Sequence, residues 1–471
     1  MYAHFGRFST TVELHIACCD EITFNITELI KVKGVKIKLI IHRGTHEIGG
    51  SCVEIKNKDT RIVIDIGMPI VTEDGKRFDI QNYKDLSGQE MVDKKILPDI
   101  KGFYNWDTIN NKIDGLLISH SHSDHYGFYN YLREDIQYYL GEGTRRIIDF
   151  DSLIFGSKKV IGTYTTFQHG DSLNIGSFTI KPFLMDHSAF DAYAFLIESE
   201  GKKILYSGDF REHGRKGSLF QRFLKTAPED VDVLLLEGTV IGQQDKKAKT
   251  ETEVEQDIIK IAQETPGMVL VIQSAHNIDR IVSFYRAAIQ TNRVLLIDVY
   301  TANFLNVLNG LGKIPDPLNG FDKIKVFYPY YLTDRLAKGN KEKLLYRFRP
   351  YKISREEIST NPGNFIMMIR PTMIFDISHI EGLDGATVIY SMWHGYLEDK
   401  QMKHFQDFMN TKNMSMIHLH TGGHANIDTL KKVVNRVKPE VIIPIHTFSP
   451  EKYRDEFSNV QTLSDGEKYN I

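Results

Sequence analysis

The chain has 471 residues, 41% of them apolar and 25% charged, with a formal net charge of −3. That length exceeds one small core and points to two or three structural units, and the near-neutral balance excludes a globally basic, polyanion-coating protein, so any nucleic-acid contact must be a local patch. No run approaches the roughly eighteen apolar residues of a membrane span. The three cysteines, Cys18, Cys19 and Cys52, are too few for a disulfide framework.

In chain order, residues 1–35 stand apart. They hold a strand-like "TVELHIA" and a short helical "ITELIKV" ended by Gly34, with no role assigned. The first residues show no basic start followed by an apolar stretch, so no secretory signal is expected and a reducing cytoplasm is the expected setting. Cys18 and Cys19 are adjacent, which gives poor bite for a zinc site, and no cysteine follows at ligand spacing. From Val35 onward short β-branched runs come densely: "VKIKLIIH", "SCVEIK", "TRIVIDIG", "GLLISH", "FTIKPFLMDH", "YAFLIES", "KILYSGDF" and "DVLLLEG". Bounded by Gly, Asn and Asp, they read as layered sheets with outer helices.

After Gly238 the texture changes. "TETEVEQDIIKIAQ" carries an N-cap threonine, Thr250 or Thr252, and acidic first-turn residues. Strand and helix then alternate through "GMVLVIQ", "IDRIVSFYRAAIQ", "RVLLIDVY", "TANFLNVLNGL" and "KIKVFY", the pattern of a parallel α/β unit. This second unit is expected over residues 241–385. "ATVIYSMW" and "SMIHLHTGGHA" then return to strand–loop patterns.

The stretch "LLISHSHSDHYGFY" concentrates His120, His122, Asp124 and His125 on one loop after an apolar run. His120 and His122 are two apart and would point the same way from an extended segment. Crowded imidazoles are costly unless a cation or hydrogen bonds compensate them. Imidazole and carboxylate without thiolate suit zinc, manganese or iron. Three further candidates end apolar runs: His187 in "FLMDHSAFD", Asp209 in "ILYSGDFREHG" and His446 in "VIIPIHTF". Together the seven suffice for two metals sharing a carboxylate.

"HSHSDH" matches the H-x-H-x-D-H signature of the metallo-β-lactamase fold, and "THEIGGSCVEI" and "RIVIDIGMP" resemble that superfamily's opening hairpin. The resemblance implies an α/β protein: an αββα sandwich over residues 36–240 and 386–471, interrupted by an α/β insert over 241–385 as in the β-CASP nucleases. Three further motifs of that family are present: Glu237 in "LLLEGT", His420 and His424 in "HTGGHA", and His446 in "IPIHTF". Histidine at the last position marks members acting on RNA, where the DNA-acting ones commonly carry valine. The sequence therefore resembles the RNA-processing, ribonuclease J-like branch. It departs from the pattern at Gly422, where the family usually has serine; Thr421 is the candidate substitute. Ile471 follows the last motif closely, so the C-terminal domain typical of ribonuclease J is not expected.

The resemblance implies one cation on His120, His122 and His187, a second on Asp124, His125 and His446, and Asp209 as the bridge. Zinc is the first expectation for both, manganese the second. It implies attack of a metal-bridging hydroxide on phosphorus, with Asp124 among the catalytic residues, His424 as donor of a proton to the leaving oxygen, and Glu237 holding His424. His420, Ser274, Asn277, Arg280 and Ser391 are the expected substrate contacts. RNA, preferably single-stranded, is the implied partner, acted on internally or from the 5′ end; no membrane is involved, and a homodimer is left open. From the residues themselves, "KGNKEKLLYRFRPYKISR" (338–355) has seven basic side chains against one acidic, with Tyr346, Phe348 and Tyr351 interleaved. That suits phosphate contacts with base stacking, or a solvated basic face beside core aromatics. A DNA nuclease on the same fold, a small-molecule metallo-hydrolase and a non-catalytic RNA-binding subunit are the competing readings.

Overall fold

The computed structural model describes residues 37–72, 75–108, 111–156, 161–243 and 248–471. The expected elements of residues 1–35, with Cys18 and Cys19, lie outside these residues.

Three sheets organise the chain. The first has seven strands in the order Lys468–Asn470, Lys38–Arg43, Cys52–Lys56, Arg61–Ile64, Gly115–Ile118, Tyr138–Gly141 and Tyr164–Phe167. The second has six, ordered Val441–Ile445, Val233–Glu237, Lys202–Tyr206, Ala192–Ser199, Phe178–Met185 and Leu173–Ile175. Period-two alternation explains their packing. In Arg61–Ile64, Ile62 and Ile64 face the second sheet and meet Phe195, Tyr206 and Leu235, while Val63 faces outward onto Met91, Phe103 and Phe128. On the far side of the second sheet, Leu205, Leu234 and Ile442 pack against Phe220 and Phe223 of helix Gly217–Thr226 and Leu430 and Val433 of helix Ile427–Val437. The result is helix, sheet, sheet, helix, as expected. Each large apolar side chain withdrawn from water here contributes about 1.5–3 kcal/mol.

The third sheet is wholly parallel, ordered Ile324–Phe327, Val294–Asp298, Phe365–Ile369, Val269–Ile272, Thr387–Tyr390 and Ser415–His418. Its strands are apolar on both faces: Val269 and Val271 join one core, Leu270 and Ile272 the other, as parallel sheets covered by helices require. Helix Glu251–Glu264 starts at the Thr250 cap with a capping box to Glu253. One boundary differs from expectation. Residues from 386 are expected with the first two sheets, yet Thr387–Tyr390 pairs with Val269–Ile272, and Ser415–His418 pairs in turn with Thr387–Tyr390. Helix Lys400–Thr411 makes the crossover between them. A short apolar run does not declare which sheet it will join; that depends on pairing with residues more than a hundred positions away.

Candidate metal centre

The strands Phe178–Met185, Lys202–Tyr206, Val233–Glu237 and Val441–Ile445 all run the same way. His187, Asp209, Glu237 and His446 therefore gather at one edge of the second sheet. Gly115–Ile118 delivers the remaining loop from the first sheet. His122 is the N-cap of the short helix Ser123–Tyr126, which presents Asp124 and His125. Backbone hydrogen bonds from Ile66 to His125 O (2.8 Å) and from Met68 to Ser123 O (3.0 Å) dock that helix onto the segment after strand Arg61–Ile64. Gly67 makes the approach possible, since a Cβ there would lie 1.6 Å from the Asp124 carbonyl oxygen.

All seven predicted ligands converge. His120, His122 and His187 form one set, and Asp124, His125, Asp209 and His446 another, each with donor atoms within 4.8 Å of one another. Asp209 Oδ2 lies 3.1 Å from His125 Nε2, 3.8 Å from His120 Nε2 and 3.7 Å from His446 Nε2, so it sits between the two sets. His446 Nε2 is 3.2 Å from Asp124 Oδ2, and His187 Nε2 is 3.2 Å from His122 Nδ1. A third set, Glu237, His424 and His446, lies at the same spacing and shares His446.

The outer ring nitrogens are held from behind. His187 Nδ1 donates to Gly423 O (2.7 Å), and since a carbonyl only accepts, Nε2 must present its lone pair inward. His125 Nδ1 lies 2.8 Å from Asp65 Oδ2, which also accepts from Ser119 Oγ (2.7 Å) and Tyr206 OH (2.7 Å). His446 Nδ1 is 2.9 Å from Thr239 Oγ1. Such partners fix the tautomer and aim of metal-binding imidazoles. Asp65 and His446 both have positive φ, 61° and 54°, a costly conformation for these residues that the surrounding contacts maintain.

Electrostatics divide the site. Burial, reinforced by neighbouring imidazoles, lowers His120 and His187, and burial holds His122 down to about 4, so these rings are neutral at pH 7. Burial alone would raise Asp124 and Asp209; the imidazoles beside them outweigh it, holding Asp124 at about 2 and Asp209 well below the carboxylate range. Burial would lower His125, but the Asp209, Asp65 and Asp124 carboxylates outweigh it and raise the ring; a divalent cation takes imidazoles neutral and carboxylates ionised, so binding there would displace a proton. His120 Nε2 is buried with no hydrogen-bond partner. Such an orphan is costly unless a cation meets it, so the residues fit a divalent pair.

Beside the ligands, Glu237 Oε2 lies 3.5 Å from His424 Nδ1, and Glu237 also accepts from Ala425 N (3.0 Å) and Thr239 N (3.1 Å). Glu237 thus positions His424 and caps the following turn at once. Burial depresses His424, but the Glu237 and Asp209 carboxylates outweigh it and push the imidazole up to about 9.

The expected substrate contacts fare less uniformly. Arg280 is fully buried, paired with Glu251 (2.7 Å) and bonded to Ser391 Oγ, whose own hydroxyl donates to Leu419 O (2.6 Å). Both are internal links here and not exposed contacts, because a buried guanidinium takes every acceptor within reach. Asn277 caps helix Ile278–Gln290 through Arg280 N. Ser274 is exposed, and half-buried His420 points Nδ1 at Ser391 O (3.3 Å). Thr421 cannot stand in for the missing serine, since its buried hydroxyl donates to Lys249 O (2.6 Å). At Gly422 itself a Cβ would meet only His424 N, at 3.9 Å. In the basic stretch Phe348 is core, not a stacking platform, whereas Tyr346 is 66% exposed beside exposed Lys343, Arg347 and Arg349. Sequence reasoning passed over Asp65, Tyr206 and Thr239; an acid between isoleucines in "RIVIDIG", just before Gly67, was the available signal for Asp65.

The family described as "Beta-lactamase superfamily domain" matches residues 105–272, which span the histidine loop, His187, Asp209 and Glu237. Residues 105–272 are thus similar to the beta-lactamase superfamily domain. Ribonuclease J of Helicobacter pylori (strain ATCC 700392 / 26695) is 24% identical over 423 residues, covering 87% of this chain and 56% of the relative. Ribonuclease J of Sinorhizobium meliloti is 24% identical over 367 residues (74% and 60%), and that of Mycoplasma genitalium 23% over 441 (90% and 69%). The chain thus spans little more than half the length of the Helicobacter relative. A crystal structure of a protein of unknown function from Enterococcus faecalis V583 superposes on 93% of this chain and all of its own, with a TM-score of 0.75 at 19% identity. That likeness extends to the overall fold alone.

Proposed function

We propose that this chain is a metal-dependent ribonuclease that hydrolyses RNA phosphodiester bonds. The observation that carries the reading is a seven-residue ligand set with the Glu237–His424 pair at its margin, on a chain similar to proteins named ribonuclease J. Two divalent cations held by these residues, zinc first and manganese second, would generate a nucleophile from water near neutral pH and offset charge growing on the phosphoryl oxygens.

The chain's own residues supply the remainder. Asp65, Gly423 O and Thr239 hold three of the imidazoles at fixed angles. His424, 3.8 Å from Asp209 and 3.5 Å from Glu237, is the proton donor to the departing 3′ oxygen; Glu237 keeps it charged and aimed. Asp124 contributes a carboxylate at the reacting centre, 3.2 Å from His446 Nε2. Exposed Tyr346, Lys343 and Arg349 offer stacking and phosphate contacts to a single strand.

The test is incubation of purified protein with end-labelled RNA and a DNA of the same sequence, each with zinc, with manganese and with chelator. Metal-dependent RNA cleavage is expected, and the product ladder separates internal from 5′-end attack. Cleavage of DNA alone would favour a DNA nuclease; undiminished cleavage with chelator would overturn the metal mechanism.

A further inference from the structure

Arg211 lies two residues past Asp209 and is fully buried. Its guanidinium reaches three segments remote in sequence. Nε lies 3.4 Å from Asp186 Oδ1, beside the ligand His187; Nη2 donates to Asp279 Oδ2 (2.5 Å) on helix Ile278–Gln290 of the insert; Nη1 donates to Gly422 O (2.9 Å). His213 Nε2 donates to the same Gly422 carbonyl at 3.1 Å. Gly214 turns the chain where a Cβ would fall 2.3 Å from Asp186 and 2.4 Å from Arg211.

A guanidinium withdrawn from water is costly, and apolar residues would fill the same volume at lower cost. What they could not do is hold a carbonyl at a set height. The segment after Gly422 does two jobs. Gly423 O receives His187 Nδ1, and His424 faces Glu237, with Ala425 N donating to Glu237 Oε1. Displacing Gly422 moves both. Lys216 adds a parallel link, donating to His187 O (2.9 Å) and to Asp279 Oδ1 (3.2 Å).

We infer that Arg211 is a positioning residue that transmits the placement of the inserted unit, through Asp279, to the Gly422–His424 loop, and so sets both His424 and the ligand His187. The inference rests on the ribonuclease reading for its rate assay alone. A lysine cannot reproduce it, since one flexible ammonium does not span three acceptors.

The experiment compares wild type with Arg211→Lys and with His213→Ala, which removes only the second donor to Gly422. Each is made alone and with His424→Ala. RNA cleavage at saturating metal, zinc affinity by chelator competition and thermal unfolding are measured. Arg211→Lys should cut the rate by about 10²-fold, as misplaced catalytic groups do, and weaken zinc binding by ~10-fold or more. In the His424→Ala background the further rate loss should be much smaller, because at saturating metal the part that acts through His424 is already gone. His213→Ala should show the same signs more weakly. An equal rate loss with and without His424, or a lowered melting temperature with unchanged zinc affinity, would overturn the inference. Should wild type cut no RNA, the ribonuclease reading fails while the zinc arm still decides the role of Arg211.

Discussion

At the scale of single residues, the separation of the candidate ligands from the proposed proton donor makes distinguishable predictions. His424→Ala should slow RNA cleavage by about 10²-fold or more while leaving bound metal near the wild-type level. Loss of metal from that variant would transfer His424 to the third cluster, with Glu237 and His446, as a ligand. Asp65→Ala should do the reverse. It removes the acceptor behind His125 and strands the Tyr206 and Ser119 hydroxyls, so metal affinity should fall by roughly 10–100-fold, read by chelator competition. All seven candidate ligands were legible in the sequence because His187, Asp209 and His446 each end an apolar run and the other four crowd one loop after a fourth run. Asp65 and Thr239 were not, since a lone acid or threonine after a strand has no periodicity to mark it. Arg280, a contact implied by the resemblance, differs: only tertiary packing reveals Glu251 and Ser391 around it.

At the scale of elements, the histidine loop depends on its backbone docking. Gly67→Ala would force the Asp124 carbonyl away and break hydrogen bonds that start the helix. It should destabilise the fold by about 3 kcal/mol and lower metal occupancy with it, measured by denaturant unfolding with and without zinc. The first sheet carries a pH-dependent element of its own. Glu54, buried on strand Cys52–Lys56, accepts from His42 (2.9 Å), Arg61 (2.8 Å) and Lys56 (2.7 Å). Burial alone would raise its carboxyl, yet these three partners outweigh it and hold it well below the carboxylate range. A depressed folded-state value means stability fully present above the unfolded value of about 4.3 and lost as pH falls below it. Glu54→Gln should therefore lower stability by about 1–3 kcal/mol at pH 7 and flatten its decline between pH 5 and 3. An unchanged acid slope would contradict the role given to Glu54.

For the whole molecule, strand density against strand–helix alternation was enough to divide the chain into a sandwich and a parallel insert. The return point was not legible, because membership of Thr387–Tyr390 and Ser415–His418 in the third sheet is decided by long-range pairing. The basic stretch at 338–355 was legible only as composition. Its structure buries Phe348 and leaves Tyr346 exposed with Lys343, Arg347 and Arg349. Replacing these three cations by alanine should weaken RNA binding and flatten its salt dependence by about 0.7 in log–log slope for each phosphate contact removed. An unchanged slope would make the stretch a solvated face. Among the described residues no helix is long and apolar enough to cross a membrane.

The two ligand sets joined at Asp209 are the centre of the account, and counting ions against activity tests them together. Metal-free protein is titrated with zinc while bound zinc and the rate of RNA cleavage are recorded on the same samples. The rate should climb steeply only as occupancy passes from one ion to two per chain, and Asp209→Asn should fail to reach the second. Full activity at one ion or none would contradict the account.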